Sequence, residues 1–195
     1  ITSSSDGLVW TSPSQIGNQS SKQGPTAVVF GNKLYVIYVA NEDANRLFYT
    51  FSSDGVAWSG SRSLVDTYGQ DQATKAGPGA AVHEGKIVVM YTSNLSTTNQ
   101  LLTTYSTDGT SWNYPLNVGN QSAKLAPALA SFKGNLYGLY VSNDDSNKFL
   151  IARSDDGIIW APSYSVGNHS TRTSPAIAAS ADSLHVAFIA NDSSN

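Results

Sequence analysis

Polar side chains that could bind a ligand recur four times along the 195-residue sequence. A cation stands three residues before a proline in each of four segments, and an asparagine ends each of four apolar runs. Amide groups, hydroxyl groups and a cation around a shallow cleft form the paired hydrogen bonds that sugar hydroxyls need. The predicted ligand residues are Lys22, Lys75, Lys124, Arg172, Asn41, Asn94, Asn143, Asn191, Gln19, Gln121, His169, Asp43 and Asp145.

The same residue types also have a purely structural interpretation. Asn, Asp and Ser form turns readily, and a cation that faces an acid keeps a surface soluble. The second copy, NLSTTN at 94–99, lacks the acids of the other copies, so its site would be the weakest. Binding is favoured because the repeat includes side chains that a turn does not need. Both interpretations stay open at this point.

Carboxylates in the same loops raise the question of glycoside hydrolysis. That reaction needs two carboxyl groups on either side of the bond, roughly 5–10 Å apart. The candidates are Glu42, Asp43, Asp144, Asp145 and Asp192. These carboxylates recur with the repeat, whereas an enzyme normally breaks a repeat to build one site. The sequence therefore predicts no catalytic residues and no enzyme.

The sequence predicts no metal site and no cofactor. His83, His169 and His185 lie far apart in the repeat and do not form a set of metal ligands. No acidic loop has the spacing of a known calcium motif. The sequence contains no cysteine, which excludes disulfides and thiolate chemistry.

Composition excludes two classes of partner. With a net charge of -3 and 13% charged residues, the chain lacks the basic surface that nucleic-acid binding needs. The sequence has no run of 18 apolar residues, so we expect no membrane span. No leader peptide is visible in a sequence that begins at Ile1. The compartment is left open, with a secreted or extracellular location slightly favoured.

One heptapeptide occurs four times and sets an internal repeat. It reads SSDGLVW at 4–10, SSDGVAW at 52–58, STDGTSW at 106–112 and SDDGIIW at 154–160. Its aspartates are spaced by 48, 54 and 48 residues. The longer middle interval comes from extra residues around DTYGQDQATKAGP, which we interpret as an inserted loop. The predicted organisation is one domain, 1–195, with units at about 24–63, 77–118, 126–165, and 174–195 completed by 1–16.

Each unit contains four short apolar runs separated by turn residues, which predicts four antiparallel strands. The second run, KLYVIYVAN at 33–41 in the first unit, is apolar on both faces. Such a strand needs cover on both sides, unlike a strand in a sheet with one wet face. Small residues after each proline, such as Ala27 and Ala128, suit a crowded innermost strand. The sequence therefore predicts an all-β fold, a β-propeller of four four-stranded antiparallel blades.

The two ends of the chain fall in the middle of a predicted blade. The sequence begins inside a third strand and stops after a second strand. Pairing the N- and C-terminal strands in one blade would close the ring and remove exposed sheet edges. The spacing of the other units indicates that about three residues are missing at this seam. A closed four-blade ring is the first interpretation, and half of a larger propeller is the alternative.

The phrase S-x-D-G-x-x-W resembles the Asp-box, or bacterial neuraminidase repeat, and the resemblance covers all four units. The usual Asp-box has one more residue between the aspartate and the aromatic residue, so this sequence carries a shortened form. The resemblance implies a propeller in which Asp and Ser bond local amides and Trp packs between blades. The residues with this implied structural role are Asp6, Trp10, Asp54, Trp58, Asp108, Trp112, Asp156 and Trp160.

The Asp-box family contains sialidases, but the resemblance does not extend to their active site. A sialidase of that family would need three converging arginines together with a Tyr–Glu pair and an acid. The chain has four arginines at four different strand or loop positions, Arg46, Arg62, Arg153 and Arg172. We therefore do not expect three of them to converge.

The sequence predicts a carbohydrate-binding protein, a lectin with repeated non-catalytic sugar sites between blades on one rim. Repeated weak sites would gain avidity toward multivalent glycans. The predicted partners are glycans or glycoconjugates, with a homo-oligomer as a further option. Two alternatives remain, a protein-interaction or structural propeller and, less favoured, a glycosidase or sialidase-like enzyme.

Overall fold

The structure is a computed structural model that describes residues 1–95 and 97–191. The described residues form β-strands, turns and loops, with no helix among them and therefore none that could span a membrane. The strands in chain order are β1 (Thr26–Phe30), β2 (Lys33–Val39), β3 (Leu47–Ser52), β4 (Arg62–Ser63), β5 (Gly79–His83), β6 (Lys86–Thr92), β7 (Gln100–Ser106), β8 (Leu116–Ser122), β9 (Ala128–Phe132), β10 (Asn135–Val141), β11 (Lys148–Ser154), β12 (Tyr164–Ser170), β13 (Ala176–Ala179) and β14 (Leu184–Ala187).

Consecutive strands pair in antiparallel sheets that follow the sequence repeat. β1–β4 form the first blade, β5–β8 the second and β9–β12 the third, each in simple sequential order. β13 and β14 form a two-stranded sheet in the fourth unit. The predicted all-β, four-blade propeller is confirmed. The predicted repeat bounds stay a prediction, and residues 192–195 of the fourth unit lie outside the described residues.

The first strand of each unit lies nearest the centre of the ring. β1 packs beside β5, β5 beside β9, and β9 beside β13. A Cβ atom added at Gly79 would lie 2.5 Å from the carbonyl oxygen of Pro127. A Cβ at Gly77 would lie 2.7 Å from the carbonyl oxygen of Gly24. Glycine is therefore required where neighbouring blades approach the axis.

The core lies between the blades, because β2, β6 and β10, the second strands of the first three blades, are buried on both faces, whereas β14 is only partly buried. One face of β2 packs against β6, and the other face of β6 packs against β10. This is the arrangement that the continuous apolar runs predict. The first buried cluster contains Tyr35, Ile37, Val39, Leu47, Tyr49, Leu64, Ile87, Val89, Tyr91 and Trp112.

The four heptapeptides form the same turn, which in the first three blades connects the third strand to the fourth. In each one the serine hydroxyl donates to the aspartate, and the aspartate accepts the amides two and three residues later. Backbone amides are the main cause that lowers the pKa of these four aspartates. The following glycine has a positive φ, 77° at Gly109. The turn geometry is observed, and the assignment to the Asp-box group stays a prediction.

The tryptophans that end these turns differ in their surroundings. Trp112 is 2% exposed, and its ring centroid lies 5.7 Å from that of Tyr49 in the preceding blade. Trp160 donates through Nε1 to the hydroxyl of Thr103, also in the preceding blade, at 3.1 Å. Trp10, near the N-terminus, is 59% exposed. Packing between blades is therefore observed for Trp112 and Trp160, whose side chains contact the preceding blade.

The N-terminal segment differs from the predicted ring closure. Residues 1–14 form a hairpin with themselves, with bonds from Thr11 N to Ser3 O and from Ser14 N to Ile1 O. Within the described residues, no hydrogen bond joins this hairpin to β14, so β14 has no third strand. The predicted pairing of the two terminal strands is therefore not observed in the described part of the chain. The hairpin instead pairs its own edges.

Candidate functional site

Three of the predicted ligand-binding cations hold loops of the protein. Lys22 Nζ donates to Glu42 O at 2.5 Å and to Asn45 Oδ1 at 3.0 Å. Lys124 makes the equivalent bonds in the third unit, and Lys75 donates to Asn99 Oδ1 at 2.8 Å. We call this lysine–loop contact the lysine clamp. Its ammonium group is engaged by the chain itself.

The asparagines of the lysine clamp also explain a recurring backbone feature. Asn45, Asn99 and Asn147 have φ values of 52°, 54° and 51°. Asparagine adopts this left-handed region more readily than other non-glycine residues, since its side chain bonds locally. Arg172, the fourth cation, is exposed. The matching asparagine of its unit, at position 195, lies outside the described residues.

The asparagines that follow the second strands link neighbouring blades. Asn94 Nδ2 donates to Ala44 O at 3.1 Å, and Asn143 Nδ2 donates to Thr98 O at 3.3 Å. Each bond runs from one unit to the same loop of the preceding unit. Asn41 is exposed, and Asn191 is half-buried. Asn94 and Asn143 therefore connect neighbouring blades.

The recurring glutamines accept hydrogen bonds from second-strand tyrosines. Tyr38 donates to Gln19 Oε1 at 2.5 Å, and Tyr140 donates to Gln121 Oε1 at 2.7 Å. Burial raises the pKa of Tyr140 to about 12, so its hydroxyl keeps the proton that it donates. In the fourth unit the tyrosine is replaced by Phe188, whose ring lies 5.3 Å from the ring of His169.

The second unit also has such a glutamine, which the sequence analysis missed. Tyr91 donates to Gln72 Oε1 at 2.6 Å, and both side chains are buried. The inserted loop shifts Gln72 away from the GNQS pattern of the other units, so sequence comparison did not align it. A register counted back from Lys75, three residues as from Lys124 to Gln121, would have found it.

The predicted acidic ligands do not meet at a common site. Asp43 and Asp145 are both exposed and lie in different blades. The repeated polar residues thus mostly contact their own loops or the next blade. Their role as ligand contacts stays a prediction.

The strongest departure from the repeat is a carboxylate pair on one arginine. Arg46 donates through Nε and Nη2 to Glu42, at 2.5 and 2.6 Å, and through Nη1 to Asp71 at 3.2 Å. The Ser63 hydroxyl also donates to Asp71. Hydrogen-bond lengths and the planar guanidinium keep the carboxyl oxygens within about 8 Å of each other. We call Glu42, Arg46 and Asp71 the carboxylate cluster.

The carboxylate cluster is charged and open to solvent. The side chains of Arg46, Glu42 and Asp71 are 35%, 31% and 39% exposed. Hydrogen bonds from Arg46 are the main cause that lowers the pKa of Glu42. The same contacts, with Glu42 first and Asp71 second, raise the pKa of Arg46. Glu42 is therefore ionised over the whole neutral range.

Local structure explains why these three residues meet. Glu42 lies in the turn after β2, closed by the bond from Asn45 N to Glu42 O, and Arg46 follows four residues later. Asp71 comes from the inserted loop, where it pairs with Val65, while Ala73 pairs with Arg46. The cluster therefore depends on the insertion that lengthens the second repeat interval.

No other unit has this combination of residues. The position of Arg46 is taken by Gln100 and Lys148, eight residues before their aspartates. The position of Asp71 is an asparagine in the other units, Asn18, Asn120 and Asn168. Sequence analysis named Glu42 among several carboxylates but missed Asp71. The sequence feature that could have identified Asp71 is an acidic residue at a position where the other three units have asparagine.

Carboxylates also line a cavity of about 350 Å³ in the third blade, namely Asp155 and Asp156. A cavity of about 400 Å³ at the mouth of the ring is lined by residues such as Pro25, Pro78, Lys124 and Ser174, and by no carboxylate. Arg153 lies in the third blade and pairs with Asp155 at 3.4 Å. Within residues 1–95 and 97–191, no group of three His, Asp or Glu side chains could hold a metal ion.

Comparison with known proteins identifies similar solved structures. No family model matches the chain, and no curated protein matches it. An alpha-L-arabinanase of Penicillium chrysogenum complexed with arabinobiose has a TM-score of 0.66 at 12% identity, over 92% of this chain and 63% of that one. A family 117 glycoside hydrolase of Zobellia galactanivorans has a TM-score of 0.61 at 16% identity, over 90% of this chain and 64% of that one. The Bacteroides ovatus Xyloglucan PUL GH43B has a TM-score of 0.60 at 19% identity, over 86% of this chain and 36% of that one.

These similarities support the propeller fold and correct the functional prediction. The chain spans less than two thirds of the length of each of these proteins. Their structures are glycoside hydrolases, so the predictions of a non-catalytic lectin and of no enzyme are wrong. The repeated polar side chains on which the lectin prediction rested instead hold loops and blades together. The similarities give no support for a homo-oligomer.

Proposed function

We propose that the chain acts on carbohydrate as a glycoside hydrolase, with Glu42 and Asp71 as its two carboxyl groups. The observation that carries this proposal is the single, asymmetric carboxylate cluster around Arg46. Similar propellers that hydrolyse glycosides support it.

The chemistry of the carboxylate cluster suits a two-carboxyl reaction. The upper limit of about 8 Å on the separation of the carboxyl oxygens is compatible with the roughly 5–10 Å between the carboxyl groups of glycosidases. Glu42, held ionised by Arg46, takes the role of base or nucleophile. The Arg46–Asp71 contact is the longest of the three at 3.2 Å, so a substrate displaces it first. A proton that Asp71 takes up from solvent passes to the glycosidic oxygen as that oxygen's bond to the sugar carbon breaks, and water that loses a proton to Glu42 forms the new bond to that carbon.

Hydrolysis of polysaccharides tests the proposal. Arabinan, xyloglucan and a panel of plant and algal polysaccharides serve as substrates, and released reducing ends are measured. The wild-type protein releases sugar from at least one of them, and the Glu42→Gln/Asp71→Asn double variant does not. Asp182→Asn, in the turn between β13 and β14, is the matched control and keeps full activity. Equal rates for the double variant and the wild type would refute the assignment.

A further inference from the structure

Two exposed tyrosines lie on the inserted loop and beside it. Tyr68 is 73% exposed and Tyr114 is 53% exposed. Their ring centroids are 5.5 Å apart, with an angle of 75° between the ring planes. Two aromatic side chains in edge-to-face contact at the surface form a preorganised apolar surface with polar hydroxyl tips. We call Tyr68 and Tyr114 the tyrosine pair.

The tyrosine pair breaks the repeat in the same place as the carboxylate cluster. Tyr68 belongs to the insertion, which the other units lack. Tyr114, six residues after Asp108, corresponds to Gly60 and Pro162 in the neighbouring blades and to Ser12 at the N-terminus. A scaffold role shared by all units therefore does not explain either tyrosine.

The inserted loop holds Tyr68 in a defined position. The Asp66 carboxylate accepts bonds from Tyr68 N at 2.8 Å and Gln70 N at 3.0 Å. Gln72 Nε2 donates to the same carboxylate at 3.1 Å, and Asp66 and Gln72 are both buried. The loop is thus anchored by buried polar contacts, while its tyrosine faces solvent.

A groove continues from the tyrosine pair along the second blade. It has a volume of about 450 Å³, within the usual range of about 300–1,000 Å³ for ligand sites. Both apolar and amide side chains line it, which suits the apolar faces and the hydroxyl groups of sugars. Its lining residues are Ser93, Leu95, Gln100, Leu102, Tyr114, Pro115, Leu116 and Asn117.

We propose that the tyrosine pair and this groove bind a chain of linked sugars next to the carboxylate cluster, so that the substrate is a polysaccharide and not a single sugar or disaccharide. Tyr68 and Asp71 lie three residues apart on one loop, at most about 11 Å along the backbone. The groove shares no lining residue with the carboxylate cluster, so a substrate that reaches both must extend beyond the sugar unit at the cluster. This inference rests on the proposed function, since it names the substrate class of that site.

Kinetics on long and short substrates test the subsite. Tyr68→Ala and Tyr114→Ala each lower kcat/KM on the polysaccharide about tenfold, which corresponds to the loss of one aromatic contact. Both variants keep wild-type rates on an aryl glycoside of one sugar unit, which reaches only the carboxylate cluster. Tyr68→Phe keeps the ring and retains the polysaccharide rate. Equal rates of the double alanine variant and the wild type on both substrates would overturn the subsite.

Affinity electrophoresis separates this inference from the proposed function. Gels that contain soluble arabinan or xyloglucan retard the Glu42→Gln variant, which keeps the tyrosine pair, and removal of both tyrosines abolishes the retardation. Retardation without any hydrolysis by the wild type would refute the proposed function and support the subsite. Retardation that survives in the double alanine variant, or its absence from every gel, would overturn the subsite. Thermal unfolding shows that each variant is folded.

Discussion

The loops that follow β2 and β10 share a backbone arrangement and differ in chemistry. In the first blade Lys22 bonds Glu42 O at 2.5 Å and Asn45 Oδ1 at 3.0 Å. In the third blade Lys124 makes the same two bonds, at 2.5 and 2.9 Å, to the equivalent atoms. The lysine clamp is therefore part of the repeated scaffold.

The carboxylates of these two loops have different partners. Glu42 binds Arg46 through both oxygens and shares it with Asp71. Asp144, at the same repeat position, accepts bonds from the Ser146 hydroxyl at 2.5 Å and the Ser142 hydroxyl at 2.8 Å. One carboxylate forms an exposed charged cluster, and the other closes its own turn. Repeated position therefore predicts scaffold contacts well and chemical role poorly.

The largest expected effect is on the rate of hydrolysis, and it comes from replacing Asp71 by the residue found at the equivalent position of the other units. Asp71→Asn installs the residue that the other three units carry, and hydrolysis falls about 10²–10⁴-fold because proton transfer is lost. The measurement is the rate of reducing-end release at saturating substrate. The matched control is Asn120→Asp, which adds an acid to the equivalent position and leaves the rate unchanged. A wild-type rate for Asp71→Asn would remove Asp71 from the site.

The second-largest effect is a change in the pH dependence of hydrolysis when Arg46 is replaced. Arg46 holds the pKa of Glu42 low, so in Arg46→Gln that pKa rises toward its ordinary value. Glu42 then ionises only at higher pH, and the acidic limb of the kcat/KM profile moves to higher pH. Lys148→Gln, the equivalent change in the third blade, leaves the profile in place. An unmoved acidic limb in Arg46→Gln would show that Glu42 does not control it.

Loss of the lysine clamp in the first or the third unit lowers stability by a similar, small amount. Lys22→Met and Lys124→Met each remove a charged donor from one loop, at a cost of about 1 kcal/mol in the free energy of unfolding. Urea unfolding followed by tryptophan fluorescence measures the two changes. Similar values confirm a shared scaffold contact. A much larger loss of hydrolysis in Lys124→Met than in Lys22→Met would contradict the separation of scaffold and chemistry.

The smallest effects concern the repeated turns. The pKa values of Asp54 and Asp156 are lowered mainly by backbone amides, so each carboxylate stabilises the fold above its unfolded pKa, about 4. That contribution is lost as the pH falls through the lower folded value. Asp54→Asn and Asp156→Asn are therefore slightly less stable than wild type at pH 7, and the differences shrink at about pH 3. Urea midpoints at both pH values measure this, and differences that grow on acidification would contradict the cause.

Much of the fold follows from the sequence because its determinants are local and repeated. The Asp-Gly turns, the prolines and the doubly apolar second strands each specify one element of a blade. Ring closure was harder to predict from the sequence. The N-terminal hairpin forms hydrogen bonds within itself, so the sheet of β13 and β14 has only two strands in the described part of the chain.

The candidate site was harder to predict, since it depends on contacts across the inserted loop. Arg46 and Asp71 are 25 residues apart, and the other units carry different residues at both positions. The repeated Lys, Asn and Gln residues do not distinguish the two roles at the level of sequence, because holding a loop and binding a sugar require the same polar groups. Only the structure shows that Lys22, Asn94 and Gln121 are already engaged by the chain.

A direct test of the account compares Glu42→Gln with Asp144→Asn in the same hydrolysis assay. Both changes replace a carboxylate by an amide at one repeat position, so they differ only in the surroundings described above. The account predicts that Glu42→Gln loses at least about 100-fold in reducing-end release, while Asp144→Asn stays within about twofold of wild type. Equal activity of Glu42→Gln and wild type, or no hydrolysis of any polysaccharide by the wild-type protein, would contradict it.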